Sequence, residues 1–174
     1  MKITEARTLI EAAFQSTNSK TVWADLGCGG GTFTKALASL LGEGSKIYAV
    51  DREDQQIRPD NSYSAAIEFL KLNFINDPFS FSSLDGIMMA NALHFVEDKL
   101  KFIDKVKHHL KPHGQIIVVE YDTENRNQWV PFPLSFSNLI EIFSTAGFSN
   151  IKKTGEKKSI YGSNQMYACS IKLN

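Results

Sequence analysis

Apolar residues at Ile3, Ala6, Leu9, Ile10, Ala13 and Phe14 recur at helical spacing, so residues 3–15 are predicted to form an amphipathic helix. The pattern then changes period. TVWADL (21–26) is a short apolar run that stops at glycines, as a buried strand does. TFTKALASLLG (32–42) returns to helical spacing and is closed by Gly42 and Gly44. SKIYAVD (45–51) reads as a second strand, and SYSAAIEFL (62–70) as a helix or short connector. LDGIMMANAL (84–93) is a buried strand running into a loop, and DKLKFIDKVKHHL (98–110) a helix with Leu100, Ile103, Val106 and Leu110 on one face, ended by Pro112 and Gly114. GQIIVVEY (114–121) is the plainest strand in the chain. A polar and aromatic loop with two prolines follows, then a helix at 135–148 stopped by Gly147. Two last strands, near 150–157 and 165–172, flank the turn-rich SIYGSN and are predicted to pair antiparallel.

Strands alternating with helices predict an α/β fold, a doubly wound and mostly parallel sheet with helices on both faces. No linker or internal repeat divides the 174 residues, so one domain is expected. Lys plus Arg and Asp plus Glu are both 19, which leaves no net charge. A broad nucleic-acid surface needs a cationic excess, so that partner class is disfavoured. Lys152, Lys153, Lys157 and Lys158 form a local basic run, read here as a solvated strand edge. Cys28 and Cys169 lie far apart without C-x-x-C spacing and imply neither a disulfide framework nor a metal site. No stretch is apolar enough for a bilayer or a signal peptide, and the expected compartment is a reducing cytoplasm.

The chemistry concentrates at WADLGCGGGTFT, where the first strand turns into a helix. Gly27, Gly29 and Gly31 permit tight turning and the close approach of a ligand that a β-carbon would block. The corner lies at the carboxyl edge of the sheet, where open α/β folds bind ligands. Dinucleotide-binding domains want G-x-G-x-x-G, but counting from Gly27 the sixth residue is Thr32. The pattern present is D-x-G-x-G-x-G, headed by Asp25.

This pattern resembles motif I of the class I S-adenosylmethionine (SAM)-dependent methyltransferases, specifically a small bacterial subgroup made of the methyltransferase domain alone. The resemblance extends over nearly the whole chain. It implies a Rossmann-like, seven-stranded sheet with an antiparallel C-terminal strand pair, carried by AGF…MYACSIK. It also implies an N-terminal helix or lid over residues 1–20 and a SAM-binding core over 21–174. IYAVDRE is similar to motif II, which assigns the ribose hydroxyls to Asp51 and the flank of the adenine to Arg52. In NFINDPFSFSSLDGIMMANALHF, Asn73 stands where an Asp commonly takes the adenine amino group, with Asp77 as the rival position. Phe74 is expected beside the adenine, and Ala90 and Asn91 beside the methionine part. Asp25 is expected to orient the glycine loop and to reach the donor's amino group, directly or through water. Cys28 is read as a small spacer within the same corner.

Two residues are candidates for catalysis. His94 follows the fourth predicted strand at the rim where a substrate enters, and is read with equal weight as a general base or as a structural histidine. Tyr121 ends the next strand and, with Asp122, faces the same cleft. Trp129, Val130, Phe132 and Phe136 are read as an apolar cap over the substrate, the core being the alternative. His108, His109 and His113 sit at a helix end and are given no catalytic part. The function expected is methyl transfer from SAM to a small-molecule acceptor. A non-catalytic SAM-binding or partner-binding module and a nicotinamide-dependent oxidoreductase are the alternatives, in that order.

Overall fold

The computed structural model describes residues 1–14, 19–57, 62–158 and 165–173. Seven strands form one sheet in the order β3-β2-β1-β4-β5-β7-β6. They are β1 (Val22–Leu26), β2 (Lys46–Asp51), β3 (Ala66–Lys71), β4 (Leu84–Ala90), β5 (Leu110–Tyr121), β6 (Phe148–Lys158) and β7 (Gln165–Leu173). β1 to β5 run parallel, while β7 pairs antiparallel with both β5 and β6. The expected doubly wound sheet with an antiparallel C-terminal pair is therefore present. The order reverses at β1, so β2 lies on one side of it and β4 on the other. That switch point is where the glycine corner leaves the sheet.

Each face of the sheet carries its own core. On one, α1 (Ile3–Ile10) and α2 (Thr32–Ala38) bury Leu9, Ile10, Phe33 and Leu37 against Trp23, Ile47, Met88 and Ile117. On the other, α3 (Lys99–Lys107) and α4 (Phe136–Thr145) bury Phe102, Ile103, Leu139 and Phe143 against Ile87, Met89, Val118 and Tyr167. β1 and β4 alternate between the two cores, as their period of two requires. Asp98 caps α3 by accepting from the Lys101 N–H at 3.0 Å, and Ser135 caps α4 by accepting from that of Asn138. Such a cap contributes about 1 kcal/mol. Gly86, opposite Trp23 in the β1–β4 register, leaves room for the indole; a β-carbon there would come within 2.3 Å of the ring.

Several boundaries differ from the sequence-based expectation. α1, predicted over 3–15, ends at Ile10 and tightens into a 3-10 turn at Glu11–Ala13. Residues 66–71, expected as helix or connector, form the edge strand β3, because pairing with β2 along its whole length outweighs a short ambiguous pattern. β5 begins at Leu110 rather than Gly114 and takes in Pro112 where its pairing with β4 shifts register, which spares the proline a ladder bond. α2 stops at Ala38, before the predicted Gly42, and α4 at Thr145. The predicted turn at 159–164 lies outside the described residues.

Candidate functional site

The corner after β1 is built from glycine torsions. Gly27, Gly29 and Gly31 all have positive φ, at 82°, 48° and 78°, and Gly31 is the N-cap of α2. At Gly27 the need is also steric, since a β-carbon would lie 2.6 Å from the Ala92 Cβ and 3.3 Å from the Phe74 ring. Above Gly29 and Gly30 there is nothing within 4 Å. Backbone bonds to β2 hold the corner down, with the N–H groups of Gly27 and Cys28 both donating to the Val50 carbonyl, at 2.8 and 3.0 Å. The corner is a rigid cradle with open space over it.

Asp51 ends β2 beside this cradle. Its Oδ2 accepts from the Gly29 N–H at 2.8 Å and its Oδ1 from the Glu53 N–H at 3.0 Å. A carboxylate has about four lone-pair sites, so both oxygens retain capacity for a ligand's hydroxyls. Arg52 points into solvent and pairs with Glu53 at 3.4 Å.

Asp25 is 1 % exposed. Thr34 Oγ1 donates to its Oδ2 at 2.6 Å, while Oδ1 is buried without a partner. Burial pushes the carboxyl up to about 7; the Thr34 bond opposes this and the Asp51 charge adds to it. A second orphan is Asn91 Oδ1, on a residue held at φ 53° just past β4. An acceptor buried without a partner costs roughly 1–3 kcal/mol, so two of them at one corner mark a place for a ligand's donors. Ala90, the last residue of β4, is half-buried behind Asn91. Cys28 is buried and its thiol is pushed far up by burial and by the charges of Asp25 and Asp51, so it stays protonated.

Asn73 and Asp77 turn out to share one turn. Asn73 Oδ1 accepts from the Ile75 N–H at 3.1 Å, and Asp77 Oδ2 accepts from the Asn73 N–H at 2.8 Å. Lys105 Nζ donates to the carbonyls of Phe74, Ile75 and Asp77 and ties the turn to α3. Phe74 is pinned edge-on against Phe102, at 5.7 Å between ring centroids, beneath the Gly27 backbone.

His94 lies deeper than its predicted place at the rim. It is 4 % exposed, with Nδ1 2.7 Å from Glu120 Oε2 and its N–H donating to Oε1 at 3.1 Å. The short turn Leu93–Phe95 after β4 packs it against the end of β5, because Glu120, itself 1 % exposed, needs a donor there. Lys99 is buried nearby, bonded to the carbonyls of Val96 and Phe132, and burial lowers its pKa while Glu120 opposes. Sequence reading missed Glu120, whose place in an apolar strand was the available signal.

Tyr121 does face the cleft. It lines a cavity of about 540 Å³ together with Lys2 before α1, Glu5 of α1, and Thr32 and Phe33 of α2. Asn91 connects this cavity to the glycine corner, and Met166, Lys157 and Lys158 complete its wall. Lys2 and Glu5 thus bring the N-terminal segment to the cavity wall. The 122–136 loop contributes none of the lining residues, and β6 and β7 take its place. Asp122 caps the Phe136 N–H at 2.9 Å. Trp129 is 75 % exposed, Val130 is buried, and Phe136 packs on Tyr167, so these residues form no apolar cap over the cavity. His108 and His109 bond backbone carbonyls, and His113 lies at the opposite end of the sheet beside Asp85 and Lys172. Among the described residues no group of three or more His, Cys, Asp or Glu could hold a metal ion. Among them too, no helix is long and apolar enough to cross a membrane.

A family model described as a methyltransferase domain matches residues 17–163. The chain is 28% identical over 103 residues to the ubiquinone/menaquinone biosynthesis C-methyltransferase of Hahella chejuensis, covering 56% of this chain and 41% of that protein. It is 25% identical over 101 residues to a demethylmenaquinone methyltransferase of Bacillus mycoides, covering 55% and 43%. The chain thus spans less than half the length of these curated relatives. Among solved structures, a 1,6-didemethyltoxoflavin N1-methyltransferase from Burkholderia thailandensis, with its substrate and S-adenosylhomocysteine bound, superposes with a TM-score of 0.73 at 14% identity over 99% of this chain and 78% of that one. A SAM-dependent methyltransferase from Aquifex aeolicus gives 0.65 at 18% identity over the full length of both. These likenesses establish a shared fold.

Proposed function

The chain belongs to the methyltransferase-domain family, and on that premise we propose that it transfers a methyl group from SAM to a small-molecule acceptor. One observation carries the reading: the glycine cradle has open space above it and two unsatisfied buried oxygens, Asp25 Oδ1 and Asn91 Oδ1, beside it. Those acceptors suit a ligand bearing an amino group, and Asp51 suits one bearing a sugar diol. The residues present therefore fit SAM. Gly27, Cys28, Gly29 and Gly31 would cradle it, Asp51 would hold the ribose and Arg52 flank the adenine. Phe74 would support the corner from below, and Ala90 and Asn91 would border the methionine part. Asn73 would meet the adenine amino group through the second lone pair of its Oδ1, the first being used by Ile75.

When bound, SAM supplies a methyl group already activated on a sulfonium, so the protein's task is to align the partners and exclude water. Tyr121, on the cavity wall, orients the acceptor. His94, locked against Glu120, ties the end of β4 to that of β5 and so holds Asn91 and Tyr121 in register. Residues 1–20 serve as a lid on the acceptor side and 21–174 as the donor-binding core. The neutral chain disfavours nucleic acid as acceptor. The free buried thiols of Cys28 and Cys169 accord with a reducing cytoplasm.

Titration calorimetry with S-adenosylhomocysteine and with NAD tests the reading. Saturable binding of the first alone is expected. Binding of NAD without S-adenosylhomocysteine would overturn it.

A further inference from the structure

The cavity beside the glycine corner carries a charge imbalance. Lys2, Lys157 and Lys158 line it against a single carboxylate, Glu5. That carboxylate is committed. It pairs with Lys157 Nζ at 2.6 Å and accepts the backbone N–H of Lys2 at 2.8 Å, and the Lys157 bond holds its pKa down at about 2. Lys2 and Lys158 have no carboxylate within ion-pair distance among the described residues. The ammonium groups of Lys2 and Lys158 are thus uncompensated among the described residues, and Met1 with its terminal ammonium lines the same cavity, in a chain whose overall charge is zero. The same lining includes Phe33, Met166 and Tyr121, which supply apolar and aromatic surface.

We infer that the methyl acceptor is an anionic small molecule, with a carboxylate, sulfonate or phosphate held between Lys2 and Lys158 and an apolar body against Phe33, Tyr121 and Met166. This rests on the methyl-donor reading of the glycine corner. The cavity volume of about 540 Å³ suits a molecule of that kind. Thr32 and Asn91, shared between the cavity and the corner, bring the far end of such a molecule toward the donor site. Lysine ammoniums act as flexible point charges, which suits an anion whose exact shape the site does not fix. In a cleft with low-dielectric walls they attract it more strongly than in open water, and they repel a cationic acceptor. The run Lys152–Lys158 thereby divides. Lys152 is exposed along the edge strand, whereas Lys157 and Lys158 end that strand at the cavity.

The test compares two probes of one shape, 2-naphthoate and the neutral 2-naphthamide, titrated by calorimetry into the protein saturated with S-adenosylhomocysteine. Naphthoate is expected to bind about tenfold tighter than the amide, with the advantage shrinking as salt is raised. Lys158→Glu and Lys2→Gln should each remove most of that advantage while leaving the affinity for S-adenosylhomocysteine and the melting temperature unchanged. Equal affinities for the two probes, no detectable naphthoate binding, or lysine variants that bind both as before would overturn the inference. Failure of S-adenosylhomocysteine to bind at the outset would instead overturn the donor reading beneath it.

Discussion

Asp51 at the end of β2 accepts the Gly29 N–H at 2.8 Å, so the residue proposed to hold the sugar also braces the glycine corner. One carboxylate therefore does two things, and substitutions can separate them. Asp51→Ala removes both, and is expected to weaken S-adenosylhomocysteine by about tenfold to a hundredfold, since hydrogen bonds to a charged group are each worth about 1.5–3 kcal/mol. Asp51→Asn keeps one acceptor and should fall in between. Calorimetry measures both, and an unchanged dissociation constant in Asp51→Ala would remove this residue from the site.

Two glycines of the same corner predict different costs. Gly27→Ala combines a positive φ with a clash at 2.6 Å against Ala92. It should destabilise the fold by about 2–4 kcal/mol, because strained torsion and overpacking each cost about 1–3 kcal/mol. Gly29→Ala meets no atom within 4 Å and carries only the torsional cost, about 1–2 kcal/mol. Its new methyl group should cut ligand affinity far more than stability. Urea unfolding beside ligand titration distinguishes them, and equal stability losses would contradict this geometry.

Asp25 makes stability depend on pH in a direction opposite to most carboxylates. Its folded pKa is raised from 3.8 to about 7, so between those values the folded protein holds a proton that the unfolded chain has released. Stability from this group is therefore greatest below pH 4 and is lost as pH rises through 7. Asp25→Asn, which keeps an acceptor for Thr34, should match the wild type at pH 4 and exceed it at pH 8 by about 4 kcal/mol. The difference in unfolding free energy across that range is the measurement. A constant difference would mean that Asp25 ionises in the fold as readily as in water.

Glu120 and His94 form a buried pair in which each satisfies the other. Glu120→Ala strands the His94 ring and backbone N–H and should cost about 3–5 kcal/mol. Glu120→Gln retains an acceptor and should cost less. Chemical denaturation checks the order, and a Glu120→Ala protein as stable as the wild type would show the pair to be dispensable.

Much of this arrangement was legible in the residues. Val22–Leu26 and Ile116–Tyr121 are apolar runs that only burial on both faces of a sheet explains, and the alternation with helices leaves few topologies. The three glycines behind Asp25 announce a tight turn, and all three take positive φ there. β3 was not legible, because Ala66–Lys71 lies at a sheet edge with mixed burial and carries no clean period.

The sequence by itself determined the elements whose cause is local: the strands and helices other than β3, the torsions at Gly27, Gly29 and Gly31, and the carboxylate that closes β2. Tertiary structure alone decided what each polar group meets. It buried His94 on Glu120, gave the Asn73 oxygen to Ile75, and carried Lys157 from near the end of the chain to Glu5 near its start. The physical reason is range. Backbone preference acts over a few residues, whereas the cost of burying a charge or leaving an acceptor unpaired is set by whatever distant segment the fold brings alongside.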